Sequence, residues 1–151
     1  MREVCDRYGV LLVFDEVMCG MGRTGRWHAW QAEMVVPDVQ VVGKGLAGGY
    51  AEISAMILGY EIADAFENGS GNGAFNHGHT FQNYPRACVS ALRTMMIIDE
   101  DNLLGNIQEK GDLLRRKLRD GLSSHPNVGD IRGVCGFQGV RTNILYQHHS
   151  G

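Results

Sequence analysis

Two side chains with complementary chemistry each follow an apolar run of this sequence. Asp15 comes directly after Leu11–Phe14, and Lys44 stands between two glycines after the apolar-rich segment 39–42. A lysine amine forms a Schiff base with an aldehyde, and a carboxylate keeps a neighbouring ring nitrogen protonated. Pyridoxal phosphate needs both groups to act as an electron sink, so the pair predicts a site for this cofactor.

Neither residue is specific by itself. A lone Asp after a strand is typical of a helix cap or a structural salt bridge, and a lone Lys is typical of an exposed surface. The pair favours the cofactor site because each residue follows an apolar run, and ligands gather at the carboxyl ends of parallel strands. We expect the side chains of Asp15 and Lys44 to be buried there.

The elements that must position this pair alternate between strand and helix. The continuous apolar run Val10–Phe14 is typical of a strand buried on both faces of a parallel sheet. The alternation predicts an α/β fold with a mostly parallel sheet flanked by helices. The predicted strands are 10–14, 39–42, 53–58 and 131–140, and the predicted helices are 2–8 (ending at Gly9), 27–33, 62–66, 85–98 and 102–122.

Composition and charge restrict the class of protein. The chain has 151 residues, 44% hydrophobic and 21% charged, with a net charge of -3. Without a basic block, neither nucleic acid nor an anionic membrane is an expected partner. No apolar run approaches the roughly 18 residues of a membrane span, and the first residues resemble no targeting peptide. These features predict a cytoplasmic protein, and the widely spaced cysteines (Cys5, Cys19, Cys88 and Cys135) predict free thiols rather than a zinc ribbon.

Several longer motifs resemble one family, the class III (ω-aminotransferase-like) pyridoxal-phosphate enzymes of fold type I. The resemblance extends from Tyr8 to about Gly139. It is carried most strongly by LLVFDEVMCGMGRTG (11–25), PDVQVVGKGLAGGY (37–50) and HGHTF (77–81). The segments PRACVSA (85–91) and VGDIRG (128–133) add weaker support.

The resemblance implies a role for four residues. Asp15 would pair with the pyridinium nitrogen of pyridoxal 5′-phosphate, and Val17 would pack against one face of the ring. Lys44 would form the Schiff base and then carry the proton during catalysis. Thr80 would bind the cofactor phosphate of the neighbouring subunit, which implies a homodimer. No metal is implied.

The reaction implied is transfer of an amino group from an amino acid or amine to a keto acid or aldehyde. The chain would comprise a partial cofactor-binding large domain with a connecting helix (1–122), the start of a small C-terminal domain (123–140) and an unassigned tail (141–151). The family's phosphate-binding turn, second stacking ring and carboxylate-binding arginine are expected outside this sequence. Two alternatives remain: an inactive fragment that pairs with a full-length relative, and a racemase, aminomutase or decarboxylase of the same family.

Other polar and aromatic residues have more than one interpretation. His77 and His79 are spaced like a metal pair, but we expect loop histidines that position Thr80. Arg23 is suited either to a substrate carboxylate or to a structural role in its glycine-rich loop. Trp27 and Trp30 are expected to pack rather than to line a substrate pocket.

Overall fold

The computed structural model describes residues 1–71 and 73–143. Its helices are α1 (Arg2–Tyr8), α2 (Trp30–Glu33), α3 (Tyr60–Asn68), α4 (Pro85–Glu100) and α5 (Leu103–Leu122). Its strands are β1 (Val13–Asp15), β2 (Val39–Val42), β3 (Ala55–Leu58), β4 (Val128–Val134) and β5 (Phe137–Thr142). A 3₁₀ helix at Lys44–Ala47, here called the lysine turn, follows β2. Helix and strand alternate from α1 to β2, as expected for an α/β fold, whereas α3, α4 and α5 follow in succession before the strands β4 and β5.

The main sheet is mixed rather than mostly parallel. Its strand order is β1-β2-β3, with β1 parallel to β2 and β3 antiparallel to β2. A parallel connection needs a crossover, usually a helix. The segment 16–38 includes α2 and returns the chain in the parallel direction. The segment 43–54 contains only the lysine turn and glycine-rich backbone, and it reverses the chain into β3.

The prediction that β1 is buried on both faces is wrong for these residues. Val13 is 55% exposed, and Met56 and Ile57 of β3 are nearly half exposed. Only the central strand β2 is largely buried. The two outer strands therefore present apolar surface that the described residues leave uncovered.

The chain that leads into β1 is fixed by hydrogen bonds to α1 and to Asp38, the residue before β2. Gly9 ends α1 with the left-handed φ of 61° that its sequence position predicted, and the Val10 N–H then donates to the Cys5 carbonyl at 2.9 Å. Asp38 Oδ2 accepts from the Leu12 N–H at 2.6 Å and from Arg2 Nη1 at 2.9 Å. The Leu12 carbonyl also accepts the N–H groups of Asp38 and Val39, and the register with β2 then begins at Val13.

The best-buried cluster lies beneath the lysine turn. Val42, Leu46 and Ala47 pack with Ala91 of α4, and Ala47 is fully buried. Helix α4 begins with Pro85 in its first turn, as the sequence predicted. The packing of α4 against Leu46 and Ala47 fixes the backbone that carries Lys44.

The predicted strand 131–140 is in fact a hairpin. Strands β4 and β5 pair antiparallel around a turn at Cys135, whose φ is 47°. The hairpin packs on α5, where Gly111 is buried against Cys135. Of the tail left unassigned, Arg141 and Thr142 end β5, and residues 144–151 lie outside the described part of the chain. None of the helices within the described ranges is long and apolar enough to cross a membrane.

Replacing Gly111 by alanine should destabilise the fold. A Cβ at this position would overlap the backbone of Cys135, approaching its carbonyl oxygen to 2.6 Å. Overpacking of this kind costs about 1–3 kcal/mol of unfolding free energy. The matched control is Gly121→Ala on the same helix, where nothing lies within 4 Å and about 0.5–1 kcal/mol should be gained. Urea unfolding measures both, and equal stability of the two variants would contradict the packing of the hairpin on α5.

Asp38 should make stability depend on acid pH. The Leu12 N–H and the Arg2 guanidinium lower the pKa of the Asp38 carboxyl below its ordinary value of 3.8. The ionised carboxylate therefore stabilises the fold above pH 3.8, and this contribution is lost as the pH falls through the lowered pKa. Asp38→Asn should cost about 1 kcal/mol at pH 7. Unfolding curves between pH 7 and 2 should show a smaller acid-induced loss for the variant, and parallel profiles would refute this role.

Candidate functional site

The carboxyl ends of β1 and β2 meet at one edge of the sheet. Asp15, the last residue of β1, is in register with Val41 of β2. The N–H of the next residue, Glu16, donates to the Val41 carbonyl at 2.9 Å. Lys44 follows β2 after a single glycine. Parallel pairing thus brings the two residues predicted from the sequence to the same edge.

Lys44 opens the lysine turn with a positive φ of 41°. Its side chain is exposed, so the predicted burial is wrong. The reason is that Leu46 and Ala47, rather than Lys44, face the core beneath α4. The amine is therefore held on a fixed backbone and remains open to reagents.

Asp15 is likewise exposed, in contrast to the expected buried carboxylate. Its Oδ1 accepts the Val17 N–H at 3.0 Å, which closes a short turn at the end of β1. Val17 is half-buried, and its Cγ1 lies 3.6 Å from the position of a Cβ built at Gly43. Val17 thus packs beside the backbone that leads into Lys44.

A cleft of about 210 Å³ lies beside Lys44. It is formed by the loop after β1, the lysine turn and the β4–β5 hairpin, and its lining includes Val17, Met21, Arg23, Lys44, Phe137 and Gln138. Binding pockets for small molecules typically measure about 300–1,000 Å³. Asp15 lies outside the lining, two residues from Val17. The described residues therefore form one wall of a site rather than an enclosed pocket.

The sequence matches a family of known proteins. The family model for aminotransferase class-III matches residues 1–147. The chain belongs to the class-III aminotransferase family. Relatives include a protein of Gibberella zeae named aminotransferase, which is 53% identical over 88% of this chain and 26% of its own length.

Solved structures of aminotransferases share the fold. An aminotransferase of Bacillus anthracis superposes with a TM-score of 0.87 at 37% identity. A taurine:2-oxoglutarate aminotransferase of Bifidobacterium kashiwanohense, solved with pyridoxal phosphate and glutamate, gives 0.86 at 29%. Both matches cover 93% of this chain and 31% of the solved chain. The predicted α/β fold, part of the large domain of a transaminase, is confirmed. The chain spans less than a third of the length of these relatives.

Thr80 lies apart from the cleft of this class-III chain. It stands in an exposed loop before α4 and is absent from the described lining of the cleft. His79 Nδ1 accepts the Phe81 N–H at 3.2 Å, and the His77 ring meets Phe75 edge-on at 5.8 Å. Residues 1–71 and 73–143 contain no group of three His, Cys, Asp or Glu side chains that could hold a metal ion.

Arg23 has contacts compatible with both of its interpretations. Its carbonyl accepts the Gly136 N–H at 3.1 Å, which ties the loop after β1 to the hairpin. The residue is exposed and is one of those that line the cleft beside Lys44. The backbone of Arg23 is therefore structural, while the residue also lines the cleft beside Lys44.

Glu16 is the residue that sequence reasoning missed. It is only 3% exposed, and its carboxylate accepts the N–H groups of Ala29 and Trp30, each at 2.8 Å. One sequence signal was present: neighbouring residues of an extended chain point to opposite faces, so one of the two adjacent carboxylates must face inward. Trp30, predicted to pack, also bonds through its indole N–H to Gln40 Oε1 at 2.9 Å.

Cys19 lies near both carboxylates, with its Sγ 3.8 Å from the Asp15 carbonyl oxygen. Burial raises the pKa of the Cys19 thiol, and the negative charges of Glu16 and, more weakly, Asp15 raise it further. Since the thiolate is the reactive form, the pH dependence of Cys19 labelling reports on the charge of this loop.

Glu16→Gln should lower the pKa of Cys19 but leave it above that of an unperturbed thiol, because burial is the larger cause. Iodoacetamide labelling of Cys19 across a pH series, followed by mass spectrometry, measures the midpoint. The control is Glu33→Gln, since Glu33 is exposed on α2. An unchanged midpoint in Glu16→Gln would show that the Glu16 charge does not reach Cys19.

Proposed function

We propose that this chain is the cofactor-attachment part of a pyridoxal-phosphate-dependent aminotransferase. The reaction would transfer an amino group from an amino acid or amine to a keto acid or aldehyde. The observation that carries the proposal is the placement of Asp15 and Lys44 on one sheet edge of a class-III chain. Pyridoxal phosphate is the cofactor of this family, and it supplies an electron sink when bound.

Each residue has a defined part in this proposal. The Asp15 carboxylate, already oriented by the Val17 N–H, would face the ring nitrogen and keep it protonated. The half-buried Val17 side chain would pack against one face of the ring. Lys44 would attach the aldehyde carbon through its amine and then move a proton to and from the substrate. The Lys44 amine and the Asp15 carboxylate are the chemical groups that the cofactor requires. Both are exposed, so both are accessible to a cofactor that attaches here.

The position of Thr80 supports a homodimer. Its hydroxyl lies on an exposed loop away from the cleft of its own chain. A phosphate contact from Thr80 would therefore serve the site of a second copy. The amino donor and acceptor would be selected by residues beyond the single wall formed here.

A second candidate is a chain that needs another polypeptide before it can act, such as a fragment paired with a full-length relative. Two observations favour it. Asp15 and Lys44 are exposed, and Val13, Met56 and Ile57 present uncovered apolar side chains on the outer strands. Apolar side chains left exposed on outer strands are suited to burial by a further polypeptide.

Attachment of the cofactor at Lys44 is directly testable. The purified chain is mixed with pyridoxal phosphate and treated with borohydride, which converts a reversible lysine–aldehyde bond into a stable amine. Peptide mass spectrometry should place the label at Lys44 in preference to Lys110 and Lys117, the other lysines of the sequence. Lys44→Ala should lose this label and its visible absorbance, and Asp15→Asn should weaken labelling by about tenfold, as expected for one lost charge-assisted contact.

Lys110→Ala serves as the matched control because Lys110 is an exposed lysine on α5, away from the cleft. Equal labelling of all three lysines in the folded chain would overturn the proposed site. Amino transfer by this chain alone would reject the second candidate. Transfer that appears only after mixing with a full-length relative carrying an inactivated lysine would support it.

A further inference from the structure

We propose that Glu16 is a positioning residue that holds Asp15 in the orientation needed at the cofactor ring, through a buried network with Gln40, His28 and Trp30. The inference rests on the proposed function for its consequence at the cofactor. Glu16 and Gln40 are 3% and 4% exposed and are the buried polar or charged residues of the described part.

The donors of the network determine the orientation of the Gln40 amide. The Trp30 indole N–H can only donate, so the Gln40 atom 2.9 Å away must be the amide oxygen. The amide nitrogen of Gln40 then faces Glu16 Oε2 at 3.2 Å and His28 Nδ1 at 2.7 Å. Its two hydrogens match these two neighbours, with His28 Nδ1 as an acceptor. In each of these three contacts a hydrogen-bond donor therefore faces an acceptor.

The Glu16 carboxylate uses both oxygens in the network. Oε1 accepts from the backbone N–H of Trp30. Oε2 accepts from the backbone N–H of Ala29 and from the side-chain amide of Gln40. An amide in place of this carboxylate would have only one oxygen. One side of the site would then meet an NH₂ group, leaving a buried donor without an acceptor.

The backbone of Glu16 is restrained as tightly as its side chain. Its N–H donates to the Val41 carbonyl at 2.9 Å, and its carbonyl accepts the Gly20 N–H at 3.0 Å. A Cβ at Gly20 would lie 2.9 Å from Glu16 Oε2, so the loop closes directly over the carboxylate. Glu16 is thus fixed on three sides.

Restraint of Glu16 is transmitted to Asp15 by the geometry of an extended chain. Consecutive side chains point to opposite faces, so a Glu16 held inward directs Asp15 outward. In this orientation the Asp15 carboxylate accepts the Val17 N–H at 3.0 Å. Rotation of Glu16 out of its site would turn Asp15 away from the sheet edge that it shares with Lys44.

The Val17 amide provides a readout that needs no cofactor. In ¹H–¹⁵N spectra of the chain, Glu16→Gln should shift the Val17 resonance and accelerate its hydrogen exchange about tenfold, equivalent to about 1.4 kcal/mol. Trp30→Phe removes only the indole donor to Gln40, and it should shift the same resonance in the same direction by a smaller amount. Glu33→Gln, an exposed acid on α2, should leave the resonance in place.

These variants separate positioning from general stabilisation. Spectra are recorded well below each unfolding temperature. If Glu16→Gln and Trp30→Phe lower that temperature while the Val17 resonance stays unchanged, the residues only stabilise the fold and the inference is wrong. If Glu16→Gln does not fold, Trp30→Phe decides by the same criterion.

Borohydride labelling of Lys44 then tests the consequence at the cofactor. Variants that shift the Val17 resonance should be labelled several-fold less than Glu33→Gln at equal pyridoxal phosphate. Undiminished labelling in a shifted variant would overturn the link from Glu16 to the cofactor. If the unmodified chain is not labelled at Lys44, the proposed function fails, while the Val17 resonance still decides whether Glu16 positions Asp15.

Discussion

The parallel pairing of β1 with β2 is the constraint on which the site depends. It is fixed at its start by Asp38, whose N–H donates to the Leu12 carbonyl and whose carboxylate accepts from the Leu12 N–H. It is fixed at its end by the bond from the Glu16 N–H to Val41. Since two parallel strands end at the same edge, residues distant in the sequence are brought together. An antiparallel pair would have placed Asp15 and Lys44 at opposite edges.

Local signals in the sequence were sufficient for much of the fold. Gly9 predicted the end of α1, and Pro85 predicted the beginning of α4, because each acts through its own backbone geometry. The apolar runs located all three strands of the main sheet to within a few residues. The pairing of an acid and a lysine at strand ends likewise needed only the order of residues and the rule that ligands gather at carboxyl ends.

Features that depend on long-range contacts were not predictable in this way. The apolar pattern of a strand does not depend on the direction in which the strand runs in the sheet. The antiparallel placement of β3 could therefore not be inferred from Ala55–Leu58. Burial was overestimated at Asp15 and Lys44 because it depends on which elements cover them. The network of Glu16 joins residues 12 to 24 positions away, and two adjacent carboxylates give no indication of which one turns inward until these partners are placed.

The backbone conformation of Lys44 costs stability at the residue that carries the amine. Its φ of 41° lies in the left-handed region, where a side chain costs about 1 kcal/mol that glycine avoids. Glycine would relax this conformation, as it does at Gly48 and Gly49 further along the loop, but it has no amine. The strain is sustained because Leu46 and Ala47 are held beneath α4. A glycine at this position would therefore relieve the backbone strain but would remove the amine that the proposed function requires.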